Sequence, residues 1–248
     1  MKKLILVILA MFSANMLPAQ NPTPDSLVAK FLKTIGQDKM ANMQTVKVTG
    51  KITYKNKRTV AITTIDKSSG LHRTEINMQG TMIIYAGDKK NSWMIDPTTG
   101  SSDPQDLPTD EVKQNIADYA YPYADWDNPL IKWKERGDKL ELIKIEDLNG
   151  TPVYNIKITD KDRNYVNFYM DSTKFIILKA IYNIKEEGRT FEGEELYSDF
   201  RSNDGITAAF KVEEFINDQK MATMVIDKME FNIPIFDILF KKPVIKKQ

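Results

Sequence analysis

The sequence predicts a mainly β protein, a curled antiparallel sheet with helices laid over its concave side. Two long stretches, 44–95 and 140–231, alternate apolar and polar residues with a period of two and are punctuated by Gly, Asn and Asp turn pairs. One interruption, 103–137, carries Tyr119, Tyr121, Tyr123, Trp126 and Trp133 between two helix signatures, more apolar aromatic surface than a connection needs. About twelve antiparallel strands in succession cannot lie flat, because strand twist accumulates and curls the sheet toward a barrel.

The chain opens as a targeting segment. Lys2 and Lys3 precede the apolar run Leu4 to Phe12, which is shorter than the roughly 20 residues of a spanning helix, and Leu17-Pro18-Ala19 suits a cleavage site. Residues 1–19 are therefore expected to be a signal peptide, and 20–248 one exported, soluble domain with a helical insertion at 103–137. The sequence has no cysteine, so its fold must rest on an ordinary core, and it offers no cysteine for a lipid anchor.

Without Lys2 and Lys3, the 35 basic residues fall to 33 against 34 acidic ones, and both signs are interspersed. Nucleic-acid binding needs a basic face, so no nucleic acid is expected as a partner. Lys241, Lys242, Lys246 and Lys247 form a short basic tail. It reads as a solvated end that keeps an edge strand soluble, with contact to a membrane surface as the alternative. Polar turns and mixed charge predict a monomer.

Taken in order, Asn21-Pro-Thr-Pro-Asp25 leads into a helix with Leu27, Val28, Phe31, Leu32 and Ile35 on one stripe, ended by Gly36. Met40 and Met43 precede the first strand. Val46, Val48, Ile52 and Tyr54, then Val60 and Ile62, then Leu71–Gln79, Met82–Ala86 and Ser92–Ile95 follow as hairpins, stopping at Asp96-Pro97. In the insertion, Thr109 suits an N-cap with Val112, Ile116 and Tyr119 on one face. Asn128 is expected to cap a shorter helix, with Pro129 at its first position and Leu130, Ile131 and Trp133 inside, stopped by Gly137. Leu140–Glu146, Val153–Thr159, Tyr165–Asp171, Ile176–Ile184, Thr190–Phe200, Ile206–Phe215 and Met221–Phe231 complete the strands. Asn149-Gly150, Asp204-Gly205 and Asn217-Asp218 mark turns between them.

Catalytic chemistry is poorly supplied. The single histidine, His72, lies near Ser68, Ser69 and Glu75 without a nucleophile-elbow or oxyanion pattern, and reads as a surface or rim residue. Among the carboxylates, alternation places Glu192 and Glu194 on one strand face and Phe191 and Tyr197 on the other, the pattern of a solvated face. EF-hand spacing and phosphate-cradling glycine loops are missing, so no enzyme, no metal and no cofactor are expected. Met78, Met82, Met94, Met170, Met221, Met224 and Met229, with Phe168, Phe191, Phe210, Phe215 and Phe231, suit either an apolar pocket or an ordinary core.

Several short motifs carry a resemblance in their order and spacing. Arg73-Thr-Glu75, Gly87-Asp-Lys-Lys-Asn-Ser-Trp93-Met-Ile-Asp-Pro97, Asp127-Asn-Pro-Leu130 through Gly137, Asn149-Gly150 with Tyr154, Tyr197-Ser-Asp-Phe200 before Gly205-Ile206, and Asn232-Ile-Pro234 before Phe240 together resemble outer-membrane lipoprotein-sorting proteins of the LolA/LolB-like superfamily. The chain departs from the family pattern at Ser68-Ser69-Gly70 and Ala209, where proline is common, and has fewer arginines about the expected cavity.

The resemblance implies an incomplete, half-open β-barrel whose helices cover its concave side and enclose an apolar cavity. It implies a periplasmic carrier, shielding the acyl chains of lipoproteins or other lipids on their way to the outer membrane. An inner-membrane release complex and an outer-membrane acceptor would be its partners. Candidates for the cavity and its lid are Trp93, Ile95, Ile116, Tyr119, Trp126, Leu130, Trp133, Phe168, Met170 and Phe210, with Arg73 at a polar rim. The alternative from another class is a regulatory module of the same fold that senses lipids or lipoproteins.

Overall fold

The computed structural model describes residues 22–88, 90–107, 129–186 and 189–244. In chain order the strands are β1 (Thr45–Tyr54), β2 (Thr59–Lys67), β3 (His72–Met78), β4 (Thr81–Gly87), β5 (Ser92–Ile95) and β6 (Gln105–Asp106). After the insertion come β7 (Lys139–Leu148), β8 (Thr151–Thr159), β9 (Tyr165–Asp171), β10 (Ile177–Glu186), β11 (Arg189–Asn203), β12 (Ile206–Ile216) and β13 (Gln219–Phe231). They form one 13-stranded sheet in the order β6-β5-β4-β3-β2-β1-β13-β12-β11-β10-β9-β8-β7. Every neighbouring pair is antiparallel, and every pair except β1–β13 is consecutive in sequence.

This topology puts the break in the sheet at one place in the chain. The two edges, β6 and β7, flank the insertion, so the sheet stays open where the chain leaves it. The expected dozen strands become thirteen because Gln105–Asp106, inside the predicted insertion 103–137, pairs with Trp93 and Met94. Two residues are too few to show a period of two.

Turn chemistry fixes the hairpin registers. Gln79-Gly80, Asn149-Gly150, Asp204-Gly205 and Asn217-Asp218 all have positive φ at both positions, the two-residue turn whose twist matches that of the strands. Bulges interrupt the register between Thr49 and Gly50, Leu142 and Lys144, Ile177 and Lys179, and Glu214 and Phe215. Each adds local bend and twist. At the first, a Cβ on Gly50 would collide with the Val225 carbonyl oxygen, so a larger residue would push β1 and β13 apart.

Helix α1 (Pro24–Ile35) forms as its sequence predicts. Thr23 caps it, its hydroxyl accepting from the Ser26 N–H, and Pro24 occupies the first turn. Gly36, at φ 78, ends it in the left-handed conformation. Leu27, Val28, Phe31 and Ile35 are buried, while the short helix α2 (Gln37–Met40) follows at once. α1 packs against both β12 and β7. These strands would lie about 24 Å apart across a flat sheet, whereas a 12-residue helix is only about 18 Å long. The helix reaches both because the sheet curls around it.

The last helix of the insertion is shorter than expected. α3 spans Trp133–Arg136, preceded by Lys132 at φ 55 and closed by Gly137 at φ 77. Arg136 reaches back over residues 129–131, donating to the carbonyls of Pro129 and Ile131 while its Nε holds Asp138 at 2.8 Å. That clamp keeps Pro129 to Ile131 in a turn, although Leu130 is buried as predicted. Asn128 and the helix expected after Thr109 lie outside the described residues.

Candidate ligand-binding face

Strand register sorts the side chains onto two faces of the sheet. Rungs of the ladder place Tyr54, Ala222, Glu214, Glu195, Ala180, Phe168, Ile156 and Leu142 in one row across β1 and β13 to β7. Phe168, Ile156 and Ala180 share a buried cluster with α1, so this row lies on the inner face. Alternation puts the row of Lys47, Ile65, Arg73, Ala86, Trp93 and Asp106 on the outer face.

The predicted cavity residues separate accordingly. Leu130, Phe168, Met170 and Phe210 are buried in one cluster with Leu27, Phe31 and Ile35, and Trp133 packs against it. The structure thus brings these five together, in a core that α1 fills. Trp93 and Ile95 share the outer-face parity, opposite to Met94. Trp93 is only 3% exposed, because the chain after β13 crosses over it. Ile116, Tyr119 and Trp126 lie outside the described residues.

That crossing segment explains Arg73 as well. Residues 232–240 run over the outer face of β1–β5 as a strap ending in a 3-10 turn, Asp237–Phe240. Thr45 donates to Ile233 O, Lys67 to Ile235 O and to Asp237 at 2.6 Å, and the indole N–H of Trp93 to Phe240 O at 2.8 Å. Arg73 donates to Leu239 O and to Glu75, both at 2.7 Å, with its guanidinium over the Trp93 ring. Arg73 therefore holds the strap on the outer face and is not at the rim of the inner one. Parity along β3 and β5 says which residues share a face but not which face is inner, and the strap itself has no period to read.

Beyond Val46 and Val48, which join the cluster around α1, the inner face of the other half builds an apolar cluster of its own. Ile52, Val60, Ile62, Ile76 and Ile83 form a second buried cluster, with Tyr54, Met78, Tyr85, Ala222 and Met224 packed against it. Thr64, two residues beyond Ile62 on the same face, is buried with its hydroxyl unpartnered among the described residues. Between the two clusters sit Glu195 and Glu214, directly paired across β11 and β12. The Tyr197 hydroxyl donates to Glu195. Burial pushes the Glu195 carboxyl up, the Tyr197 bond opposes that, and Glu214 adds to the rise. Tyr54 is also raised, mainly by burial, with Arg58 lowering it and Glu214 raising it.

Sequence reading placed Glu192 and Glu194 on one solvated strand face, with Phe191 and Tyr197 on the other. Glu192 is exposed, and Glu194 pairs with Lys179 at 2.5 Å on the outer face. Glu195 shares the parity of Tyr197, and that alternation was the signal for its inward placement. Burial lowers the pKa of His72, against the field of Asp88. Where the inner face meets the open edge, a cleft of about 780 Å³ lies between Pro129, Arg136 and Asp138 and the β8–β9 turn, with Ile158 and Val166 among its lining residues. Among the described residues no cluster of His, Cys, Asp or Glu could hold a metal ion, and no helix is long and apolar enough to cross a membrane.

An open antiparallel sheet curled about a helix, with an apolar inner face, defines the class of the fold. Solved structures place it among LolA-like folds. A LolA superfamily protein from Nitrosomonas europaea superposes with a TM-score of 0.54 at 15% identity, covering 90% of this chain and 99% of that one. A domain named for outer membrane lipoprotein sorting, from Vibrio parahaemolyticus, gives 0.52 at 11% identity, with 84% and 95% covered. A DUF1329 family protein from Desulfovibrio piger gives 0.56 at 13% identity, with 89% and 98% covered. No family model and no curated protein matches the sequence.

Proposed function

We propose that the chain is an exported carrier that shields acyl chains of lipoproteins or other lipids against its inner face, without catalysis. In this reading residues 1–19 are removed as a signal peptide, and 20–248 act as one domain in the periplasm. The observation that carries the reading is the unequal filling of the inner face. α1 occupies one half, while the buried cluster of Ile52, Val60, Ile62, Ile76 and Ile83 gives the other half an apolar inner face that α1 does not fill. Glu195, Glu214 and the tyrosines between the two clusters would accept hydrogen bonds from a polar head group.

Energetics favour partial enclosure of the cargo. At roughly 0.8 kcal/mol per buried methylene, complete burial of a 16-carbon chain would contribute on the order of 12 kcal/mol, which would make release slow. A carrier needs a cover that opens, and the insertion 103–137, whose two ends border the break in the sheet, is the segment proposed for it.

Titration of the delipidated protein with a monoacyl lipid below its micelle concentration tests this. Trp93 is fixed on the outer face, so the expected saturable change in emission should diminish in Trp126→Phe or Trp133→Phe and persist in Trp93→Phe. No saturable change, or one that depends only on Trp93, would refute an acyl site on the inner face.

A further inference from the structure

The strap that crosses the outer face carries a second surface, independent of what the inner face holds. Its inward anchor is Phe240, 3% exposed, and Ile233 and Ile235 are half-buried, but Phe236, Ile238 and Leu239, with Val244 just beyond, are exposed. Phe236 is 79% exposed, Ile238 68%, Leu239 41% and Val244 91%. The three most exposed large hydrophobic side chains among the described residues thus fall within nine positions of one another. Scattered single exposures are ordinary on a protein surface, whereas such a concentration marks a contact site.

The strap also holds these side chains out. Hydrogen bonds from Lys67, Arg73 and Trp93 reach its backbone at Ile235, Leu239 and Phe240, and Phe240 itself is buried. An apolar cluster on a pinned backbone loses little conformational freedom on binding. Charge then selects the partner. Asp237 is the one acid from 232 to 248, and Lys67 neutralises it at 2.6 Å. Lys241 and Lys242 follow the 3-10 turn directly and are both exposed, with Lys242 also reaching Asp106.

We infer that Phe236, Ile238, Leu239 and Val244, with Lys241 and Lys242, dock the protein on the surface of an anionic lipid bilayer. The apolar side chains enter the boundary between head groups and acyl chains, and the ammonium groups meet lipid phosphates. The contact is peripheral and reversible, because it has only a few side chains and no span.

Co-sedimentation of the purified chain with vesicles of phosphatidylethanolamine and phosphatidylglycerol tests this, with phosphatidylcholine vesicles for comparison. The wild type should sediment with the anionic vesicles and less with the neutral ones, and added salt should weaken binding. The double variant Phe236→Asp, Ile238→Asp should lose about ten-fold in apparent affinity at an unchanged Tm, since both side chains are already in water. Ile143→Asp, which removes an exposed isoleucine from β7, should bind as the wild type does. Equal binding to neutral vesicles, or by the double variant, would overturn the inference. So would self-association of the wild type that the double variant abolishes, which would make a second copy the occupant of the patch.

Discussion

The two halves of the sheet are covered from opposite sides. β7–β13 close over α1, whose Leu27, Val28, Phe31 and Ile35 fill the inner face, whereas β1–β5 are held from the outside by the strap through Lys67, Arg73 and Trp93. A half filled from within is scaffold at native packing density, and its open space lies in the cleft at the β8–β9 edge. A half braced on its outer face can keep its inner face for something else. The break between β6 and β7, where the insertion departs, lets the two halves serve different ends within one sheet.

The strongest test of this division removes α1's central side chain. Phe31 is 1% exposed, and Phe31→Ala should destabilise by about 3–5 kcal/mol, lowering the Tm on the order of 10 °C. Ile62→Ala, in the other cluster, should cost less and mainly weaken acyl binding in the emission titration. Equal losses of stability with no change in binding would mean that both halves are plain core.

Loosening the strap should have a smaller and more local effect. Phe240→Ala removes its buried anchor, and Arg73→Leu removes a charged donor to Leu239 O, each costing on the order of 2 kcal/mol. Hydrogen exchange should then quicken at the amides of 235–241 and along β3–β5, while β8–β10 keep their protection. Uniform acceleration across the sheet would show that the halves unfold as one unit. Acyl binding unchanged in Arg73→Leu would agree with its place on the outer face.

Much of the architecture was legible because antiparallel sheets write their period into the sequence. Strand positions, the αL glycine after α1 and the hairpin turns at Asn149-Gly150 and Asp204-Gly205 follow from local chemistry. Which face points inward did not follow. A period of two relates Trp93 to Ile95 and Arg73 to Glu75, but only a partner such as α1 or the strap says which row is inner. That is why Phe168, Met170, Phe210, Leu130 and Trp133 converge on one face, in a core that α1 fills, while Trp93, Ile95 and Arg73 stand on the other. The strap was hidden for another reason: it has no regular structure beyond one 3-10 turn, and its holding bonds run to backbone carbonyls, which residue types do not reveal.

The seam between the two inner-face clusters yields the smallest predicted effect, and one with a definite sign. Glu195 faces Glu214 on the inner face with its pKa raised mainly by burial, so the folded state binds its proton more tightly than the unfolded state does. Stability should therefore fall as pH rises from the ordinary glutamate range through the raised value, and the loss should persist above it. Glu195→Gln keeps an acceptor for the Tyr197 hydroxyl and removes the buried charge. Its Tm should match the wild type near pH 4, where the glutamate is protonated, and exceed it by a few degrees near pH 8. If the variant is instead less stable at pH 8, the charged carboxylate is a favourable partner in the folded protein, and the seam is a structural ion site with no capacity to spare for a ligand's donors.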